Sequence, residues 1–297
     1  MVIKKVAFIG LGVMGYPMAG HLKCAGYNVA VFNRTTAKAD AWLGQYGGLK
    51  GTTIAETVND ADMVFSCVGN DQDLTEILLG RDGALAHAKL GAIFVDHTTT
   101  SAEIAIEIGK RCKEQGRSFI DAPVTGGQDG AIKGELSVMC GGDAESFLQA
   151  EMVIKSYAKK IVRVGTAGQG QLAKMVNQIC IAGLIQGLSE GIAFATNAGL
   201  DPALVINAIC SGAAGSWQMH NRASTMVDDE YDFGFAVELM RKDLGICISQ
   251  AKKNGSDVPV TKLVDSFYSE IEANGGQRWD TSSLLSRLPR TGRTKGH

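Results

Sequence analysis

The stretch Lys4-Lys5-Val6-Ala7-Phe8-Ile9-Gly10-Leu11-Gly12-Val13-Met14-Gly15-Tyr16 decides the fold. Residues 6–9 are a short apolar run of β-formers, and residues 14–22 read as a helix. Between them Gly10, Gly12 and Gly15 stand at the G-x-G-x-x-G spacing. Gly10 would let the chain turn tightly off the strand, Gly12 would let backbone approach a pyrophosphate, and Gly15 would let helix pack on strand. The helix start offers unpaired N–H groups and the positive end of its dipole to phosphates. With 37 glycines in 297 residues the spacing alone arises by chance, but its place between a strand and a helix makes it a dinucleotide turn. Leu11, Val13 and Met14 join the three glycines as candidate cofactor contacts.

Working outward, Asn28–Phe32 reads as a second strand that closes a βαβ start. NAD-binding turns usually carry an Asp or Glu at this strand's end, which bonds the ribose 2′-OH. This chain has Asn33-Arg34-Thr35, and an arginine with no carboxylate beside it suits a 2′-phosphate. The residues therefore favour NADP(H), with NAD(H) possible; the plainer alternative is that Arg34 is an ordinary surface charge. Further strands are expected at 61–68, 92–96, 118–121, 136–140 and 160–164, mostly separated by helical or glycine-rich stretches such as 102–115. The alternation gives an α/β class with a mostly parallel, doubly wound Rossmann-type sheet over residues 1–165.

Ligands of such sheets sit at the carboxyl ends of strands. Three such ends carry polar or glycine-rich turns: Val68-Gly69-Asn70, Thr98-Thr99-Thr100 and residues 121–127. Thr99 could bond a nicotinamide amide or ribose, while Thr100 or Ser101 could cap the helix expected near Ala102. Pro123 stops a strand, and Thr125-Gly126-Gly127 supplies a hydroxyl and backbone N–H groups that suit a carboxylate. The same turn could serve only to reverse the chain.

Composition shifts near Gly165. Residues 171–198 are almost continuously helix-compatible and apolar, a span of about 42 Å as a helix. Gly183, Gly187 and Gly191 mark one face of it, and close packing of another backbone there is the expected compensation for interior glycine. Gly199 ends the helix, Asp201-Pro202 starts the next, and helices are expected at 202–210, 235–254 and 261–273. Residues 166–297 are thus expected to form an all-helical substrate and oligomerisation domain entered by a long interdomain helix. Lys174, Asn177 and Gln178 stand at i, i+3 and i+4 on one face of that helix. Among apolar neighbours Lys174 could be desolvated and drawn towards proton transfer, or it could snorkel to the surface.

Bulk properties exclude little but point one way. Hydrophobic content of 45%, charged content of 20% and a net charge of −2 suit a soluble globular protein with no electrostatic pull towards nucleic acid or membrane. The seven cysteines show no ligand-like spacing, and Cys67, Cys140 and Cys180 are expected to be small buried hydrophobes in a reducing cytoplasm. No signal peptide and no apolar run of membrane-spanning length, ~18 residues, are expected. No metal site is expected. Residues 287–297 read as a frayed basic tail.

Five ordered motifs together resemble the β-hydroxyacid dehydrogenase family, the 3-hydroxyisobutyrate dehydrogenase, tartronate semialdehyde reductase and glyoxylate/succinic semialdehyde reductase type. They are GLGVMGYPMAGHL from Gly10, DHTTTSAE from Asp96, DAPVTGGQDGAIKGEL from Asp121, GQGQLAKMVNQ from Gly168 and RKDL from Arg241; residues 279–284 look like the family's C-terminal pattern. The resemblance implies Lys174 as catalytic acid or base, and Thr125, Gly126 and Gly127 as holders of a substrate carboxylate. It further implies that Asn177 and Gln178 orient substrate and lysine, that Val68, Thr99 and Lys242 contact the cofactor, and that Phe235 and Asp243 line the substrate pocket. Asn33-Arg34-Thr35 is similar to members that prefer NADPH. Departures are Gln178 where many members have Asn, Val68-Gly69 where the family often has Leu-Pro, and Thr125 for the commoner serine. At Val68 a surviving cofactor contact should run through backbone.

The implied activity is hydride transfer between nicotinamide and a small 3-hydroxy acid or aldehyde acid, in a homodimer or homotetramer. Lys174 argues against an imine reductase-like relative, whose members usually carry Asp or Tyr there. 6-Phosphogluconate dehydrogenase would need a longer helical domain and basic residues for a sugar phosphate. A non-catalytic NADP-binding regulatory module would leave the lysine, its amide neighbours and the glycine loop without a purpose.

Overall fold

A computed structural model describes residues 3–291. The chain divides into two compact units, one running through Lys174 and the other starting at Met175.

The first unit alternates strand and helix: β1 (Lys5–Ile9), α1 (Gly15–Cys24), β2 (Asn28–Phe32), α2 (Thr36–Tyr46), β3 (Leu49–Lys50), α3 (Ile54–Val58), β4 (Met63–Ser66), α4 (Asp71–Leu79), α5 (Ala84–His87), β5 (Ile93–Asp96), α6 (Ala102–Glu114) and β6 (Ser118–Asp121). It continues with β7 (Val124–Thr125), α7 (Gly127–Lys133), β8 (Leu136–Gly141), α8 (Ala144–Ile154) and β9 (Ala158–Gly165). The strands join in the order β3-β2-β1-β4-β5-β6-β8-β7, with β9 on β8. All pairs from β3 to β6 are parallel, and β8 runs antiparallel to β6 and β7. Alternate strand residues feed two cores. Phe8, Val31, Phe65, Val95 and Ile120 pack with Met18, Leu22 and Trp42 on one face. Ala7, Ile9, Val64 and Phe94 pack with Leu74, Ala105 and Ile108 on the other. A sheet covered on both faces has continuous apolar strands, which is why these runs read clearly.

Short polar signals fix where the helices begin. The side chains of Asn70, Ser101 and Asp143 accept the N–H of Asp73, Ile104 and Ser146, so Ser101 is the cap of α6 and Thr100 is not. β3 and β7, two residues each, were too short for any periodicity to announce.

The second unit is helical: most of α9 (Gln169–Asn197), then α10 (Pro202–Ile209), α11 (Trp217–Val227), α12 (Val237–Asn254), α13 (Pro259–Ala273) and a 3-10 turn at Thr281–Arg287. Asp201 caps α10 through the N–H of Ala203 and Leu204, as the Asp-Pro pair implies. Two clusters form its core, one around Ile185, Met240, Leu244 and Tyr268, the other around Leu188, Met219 and Met226.

Four expectations are corrected. α9 is long and apolar enough to cross a membrane, against the expectation that no run reaches that length; 44% of its most apolar window is buried within the protein. The glycine face of α9 meets no other backbone within the described residues: a Cβ at Gly187 or Gly191 would touch nothing within 4 Å, and one at Gly183 only Val260 Cγ1. Cys180 is exposed and Cys67 half-buried, whereas Cys112, Cys140 and Cys247 are buried; α9 turns Cys180 away from its packed side. The expected basic tail is tied down at its start, because Arg287 pairs with Glu270 and stacks on Phe267, and Arg290 pairs with Asp229. Residues 292–297 of that tail lie outside the described residues.

Candidate active site

The glycine turn leaves β1 at Gly10, whose φ of +96° suits glycine alone at low cost. A Cβ on Gly10 would collide with the Cys67 carbonyl, and one on Gly15 with the Gly10 carbonyl. At Gly12 a Cβ would meet nothing within 4 Å, so the crown of the turn is open backbone in front of α1. That shape fits a pyrophosphate. Leu11 is buried, Met14 half-buried and Val13 exposed at the turn. Asn33 at the end of β2 locks the turn: its Oδ1 accepts the Leu11 N–H at 2.8 Å and its Nδ2 donates to the Thr35 carbonyl at 3.0 Å. Asn33 is thus occupied by the protein. Arg34 is almost fully exposed, and its Nη1 lies 3.9 Å from Asp73 Oδ1. The expectation that no carboxylate stands near Arg34 is overturned, because α4 brings in an acid 39 residues away in sequence.

At the end of β4, the Val68 N–H donates to Thr98 Oγ1 at 3.0 Å. Any backbone contact of Val68 with a ligand therefore falls to its carbonyl, not its N–H. Thr98 Oγ1 donates to Asp96 Oδ1, which also accepts Ser66 Oγ, both at 2.7 Å. Burial pushes Asp96 up to about 7 against these hydrogen bonds. Next to it His97 is held between the Ala122 carbonyl, 2.6 Å, and the Tyr157 hydroxyl, 2.7 Å; burial lowers its pKa to about 4, so the ring is neutral at physiological pH. Thr99 is half-buried between the two anchored threonines, Thr98 and Thr100.

The start of α9 is bolted to these strand ends. Asp121 at the end of β6 accepts the N–H of Gly168 at 2.8 Å and of Gln171 at 2.9 Å. Burial raises its pKa to about 6, yet above neutrality it is an anion at a helix N-terminus, where the dipole favours it. The fully buried Gln171 donates through Nε2 to the Thr98 carbonyl at 2.7 Å and accepts the Thr100 N–H at 3.1 Å. One turn on, Lys174 is 7% exposed and its Nζ donates to the Val124 carbonyl at 2.9 Å. It is a buried lysine, not a snorkelling one, and it is held beside Thr125. The chain then turns through Gly126 and Gly127, with φ of +130° and +64°, into α7, whose first turn has N–H groups without intrahelical partners. His21 of α1 bonds the Ala131 and Ile132 carbonyls at 3.1 and 3.0 Å and so fixes α7.

In the second unit, Asn177 Nδ2 donates to Gln178 Oε1 at 2.8 Å, and Gln178 Nε2 to Asp243 Oδ2 at 2.7 Å. Asp243, 2% exposed, also lies 3.2 Å from Lys242 Nζ. The extra methylene of Gln178 is used to reach α12. Phe235 is 36% exposed, and its N–H donates to Asp280 Oδ2 at 2.9 Å. Asp280 is fully buried against Arg222, which explains the Trp279-Asp280-Thr281-Ser282 pattern as a clamp on the loop before α12. Among the described residues no cluster of metal-ligating side chains occurs.

Known proteins resemble the chain along nearly its whole length. Residues 5–165 match the family model for the NAD binding domain of 6-phosphogluconate dehydrogenase. Residues 168–288 match that for the NAD-binding domain of NADP-dependent 3-hydroxyisobutyrate dehydrogenase. The chain is 55% identical to an uncharacterized oxidoreductase of Shewanella frigidimarina over 97% of its own length and 99% of the relative's. It is 33% identical to the 2-hydroxy-3-oxopropionate reductase of Escherichia coli K12, over 96% and 97% of the two chains. The solved 3-hydroxyisobutyrate dehydrogenase of Mycobacterium tuberculosis with L-serine superimposes with a TM-score of 0.88 at 28% identity, over 97% and 99%. The chain belongs to the β-hydroxyacid dehydrogenase family and is an NAD(P)-dependent oxidoreductase of the 3-hydroxyisobutyrate dehydrogenase type that acts on a hydroxyl group.

Proposed function

We propose that the chain interconverts a short 3-hydroxy acid and its aldehyde acid, prefers NADP(H), and uses Lys174 to move the proton. The observation that carries this reading is the buried Lys174 side chain, whose Nζ donates to the Val124 carbonyl at 2.9 Å at the threshold of the Thr125–Gly127 turn. A substrate carboxylate is received by the Thr125 hydroxyl and the N–H groups of Gly126 and Gly127, with no side-chain cation needed. When bound, the nicotinamide supplies or accepts the hydride. As a carbonyl oxygen is reduced, Lys174 Nζ donates a proton to it; in oxidation the neutral amine takes the hydroxyl proton. Asn177 and Gln178, three and four residues further along the same helix, orient the substrate oxygen. Phe235 and Asp243 contribute to the substrate site, and Lys242, Thr99 and Val68 to the cofactor site. Much of the rate comes from holding the two reactants in line.

The substrate class is supported by the relatives' names: 3-hydroxyisobutyrate, 2-hydroxy-3-oxopropionate and L-serine each carry oxygen on the carbon β to a carboxyl group. NADP(H) preference is supported by Arg34 and by the absence of an acid at the end of β2. The chain works as a homodimer or homotetramer.

The test is a panel of initial rates. Glyoxylate, succinic semialdehyde and tartronate semialdehyde are reduced with NADPH or NADH, and 3-hydroxyisobutyrate and serine are oxidised with NADP or NAD. Lys174→Ala runs beside the wild type. Turnover on one acid that falls about 10²- to 10⁴-fold in the variant is expected. Activity that survives Lys174→Ala would remove the lysine from the mechanism, and cofactor binding without turnover on any acid would favour a regulatory module.

A further inference from the structure

β1 feeds the glycine turn and is flanked in the sheet by β2 on one side and β4 on the other. The carboxyl ends of those two neighbours therefore stand on either side of whatever occupies the turn. Arg34 follows β2. Opposite it, α4 starts just beyond β4 with two acids in its first turn, Asp71 and Asp73. Asp71 is committed to the protein, since its carboxylate accepts both the N–H and the hydroxyl of Ser101. Asp73 is not used in that way. Its backbone N–H is held by Asn70 at 2.9 Å, and its carboxylate leans over Gly69, where an added Cβ would lie 2.5 Å from Oδ2. Its other oxygen, Oδ1, lies 3.9 Å from Arg34 Nη1. The pair thus spans the carboxyl edge from the β2 side to the β4 side.

We infer that Asp73 is a cofactor-discriminating residue that weakens the binding of the 2′-phosphorylated dinucleotide and lets the same pocket accept the unphosphorylated one. The inference rests on the reading of Arg34 as the 2′-phosphate ligand. Arg34 and Asp73 together carry no net charge, so a dianionic 2′-phosphate meets an arginine already partly neutralised and a carboxylate that repels it. A ribose 2′-hydroxyl, by contrast, can donate to that carboxylate, the role usually filled by an acid at the end of the second strand. In this chain the acid comes from the opposite side of the turn.

The experiment measures dissociation constants of NADPH and NADH for the full chain by nucleotide fluorescence, at low and at high ionic strength. The proteins are the wild type, Asp73→Asn, Arg34→Ala, and Asp82→Asn as a control. Asp82 is an exposed acid beyond the far end of α4, so its removal makes the same change in total charge. Asp73→Asn is expected to tighten NADPH about three- to tenfold at low salt, the size of one carboxylate–dianion repulsion in near-aqueous surroundings. NADH should not tighten. The gain should shrink at high salt, because screening cuts exposed charge pairs and leaves packing effects alone. An unchanged NADPH-to-NADH ratio in Asp73→Asn, or an equal change in Asp82→Asn, overturns the inference. Weaker NADPH binding in Asp73→Asn overturns it too, since Asp73 would then serve by orienting Arg34. A wild type with no NADPH preference, in which Asp73→Asn creates one, would sink the NADP(H)-preferring reading while leaving the role of Asp73 standing.

Discussion

Asp96 is fully buried at the end of β5, and its Oδ2 has no hydrogen-bond partner. Unfolded, it titrates near 3.9; folded, burial brings it to about 7. Between about pH 4 and 7 the native state holds a proton that the unfolded chain has released, so raising the pH through that window removes stability. His97 beside it has the opposite sign: lowered to about 4, it adds stability as the pH rises from about 4 towards 6.5. Asp96→Asn deletes the falling contribution and leaves the rising one. Urea unfolding at pH 5 and pH 8 is expected to show the wild type losing about 1–3 kcal/mol relative to the variant over that interval. A difference independent of pH would mean that Asp96 does not titrate there. The burial and pairing that shift these two groups were not legible in the sequence, where Asp96-His97 reads as the end of an apolar strand and the start of a family motif. Arg34 teaches the same limit: the motif placed it correctly after β2, but its partner Asp73 comes from another helix and no local pattern announces it.

At the scale of elements, α9 is the piece whose position matters most, and its first turns are held by groups with weak sequence signals. The glycine turn, the helix carrying Lys174 and the strand ends could all be read, because parallel strands are apolar runs and helix starts carry caps. The bonds that register α9 against those strand ends could not, since Gln171 is one glutamine among several and Asp121 reads as the last residue of a strand. They explain why the compact units divide at Lys174, whereas the sequence places the domain boundary at residue 165. The first turns of α9 hydrogen-bond to β5 and β6 ends and so belong with the sheet. Gln171→Leu keeps the volume and leaves the Thr98 carbonyl and Thr100 N–H without partners. It is expected to destabilise the protein by about 2–4 kcal/mol. Measured well below melting and at saturating cofactor, kcat should fall about tenfold, because the proposed proton donor, Lys174, would be held out of line. Full kcat in a merely less stable variant would make Gln171 a structural residue and nothing more.

At the scale of the whole molecule, the apolar surface of the second unit is larger than its own core can use. A groove of about 350 Å³ runs along α9 past Gly187 and Gly191 to α10 and α11. It begins nine residues after Lys174, about 14 Å along the helix, and is lined almost wholly by apolar side chains. No residue of α10 is buried, although its sequence is PALVINAI, and Phe194 and Leu204 are 75% and 67% exposed. The glycine spacing reads as a contact face, and the described residues supply nothing to fill it. An apolar groove beside exposed apolar side chains of α9 and α10 suits a contact between identical chains, in which one patch must fit its own copy. Patches of this kind are rarely left to water. We therefore expect the protein at micromolar concentration to scatter light as a multiple of its 31.4 kDa chain mass. Leu204→Arg should shift it towards the single-chain mass, because a buried unpaired charge at such a contact costs several kcal/mol. Leu204 is exposed and far along the chain from Lys174, so the variant should keep its fold, and circular dichroism beside the scattering checks that. A wild type that stays monomeric would leave the groove unexplained by self-association and would remove the oligomer from the proposed function.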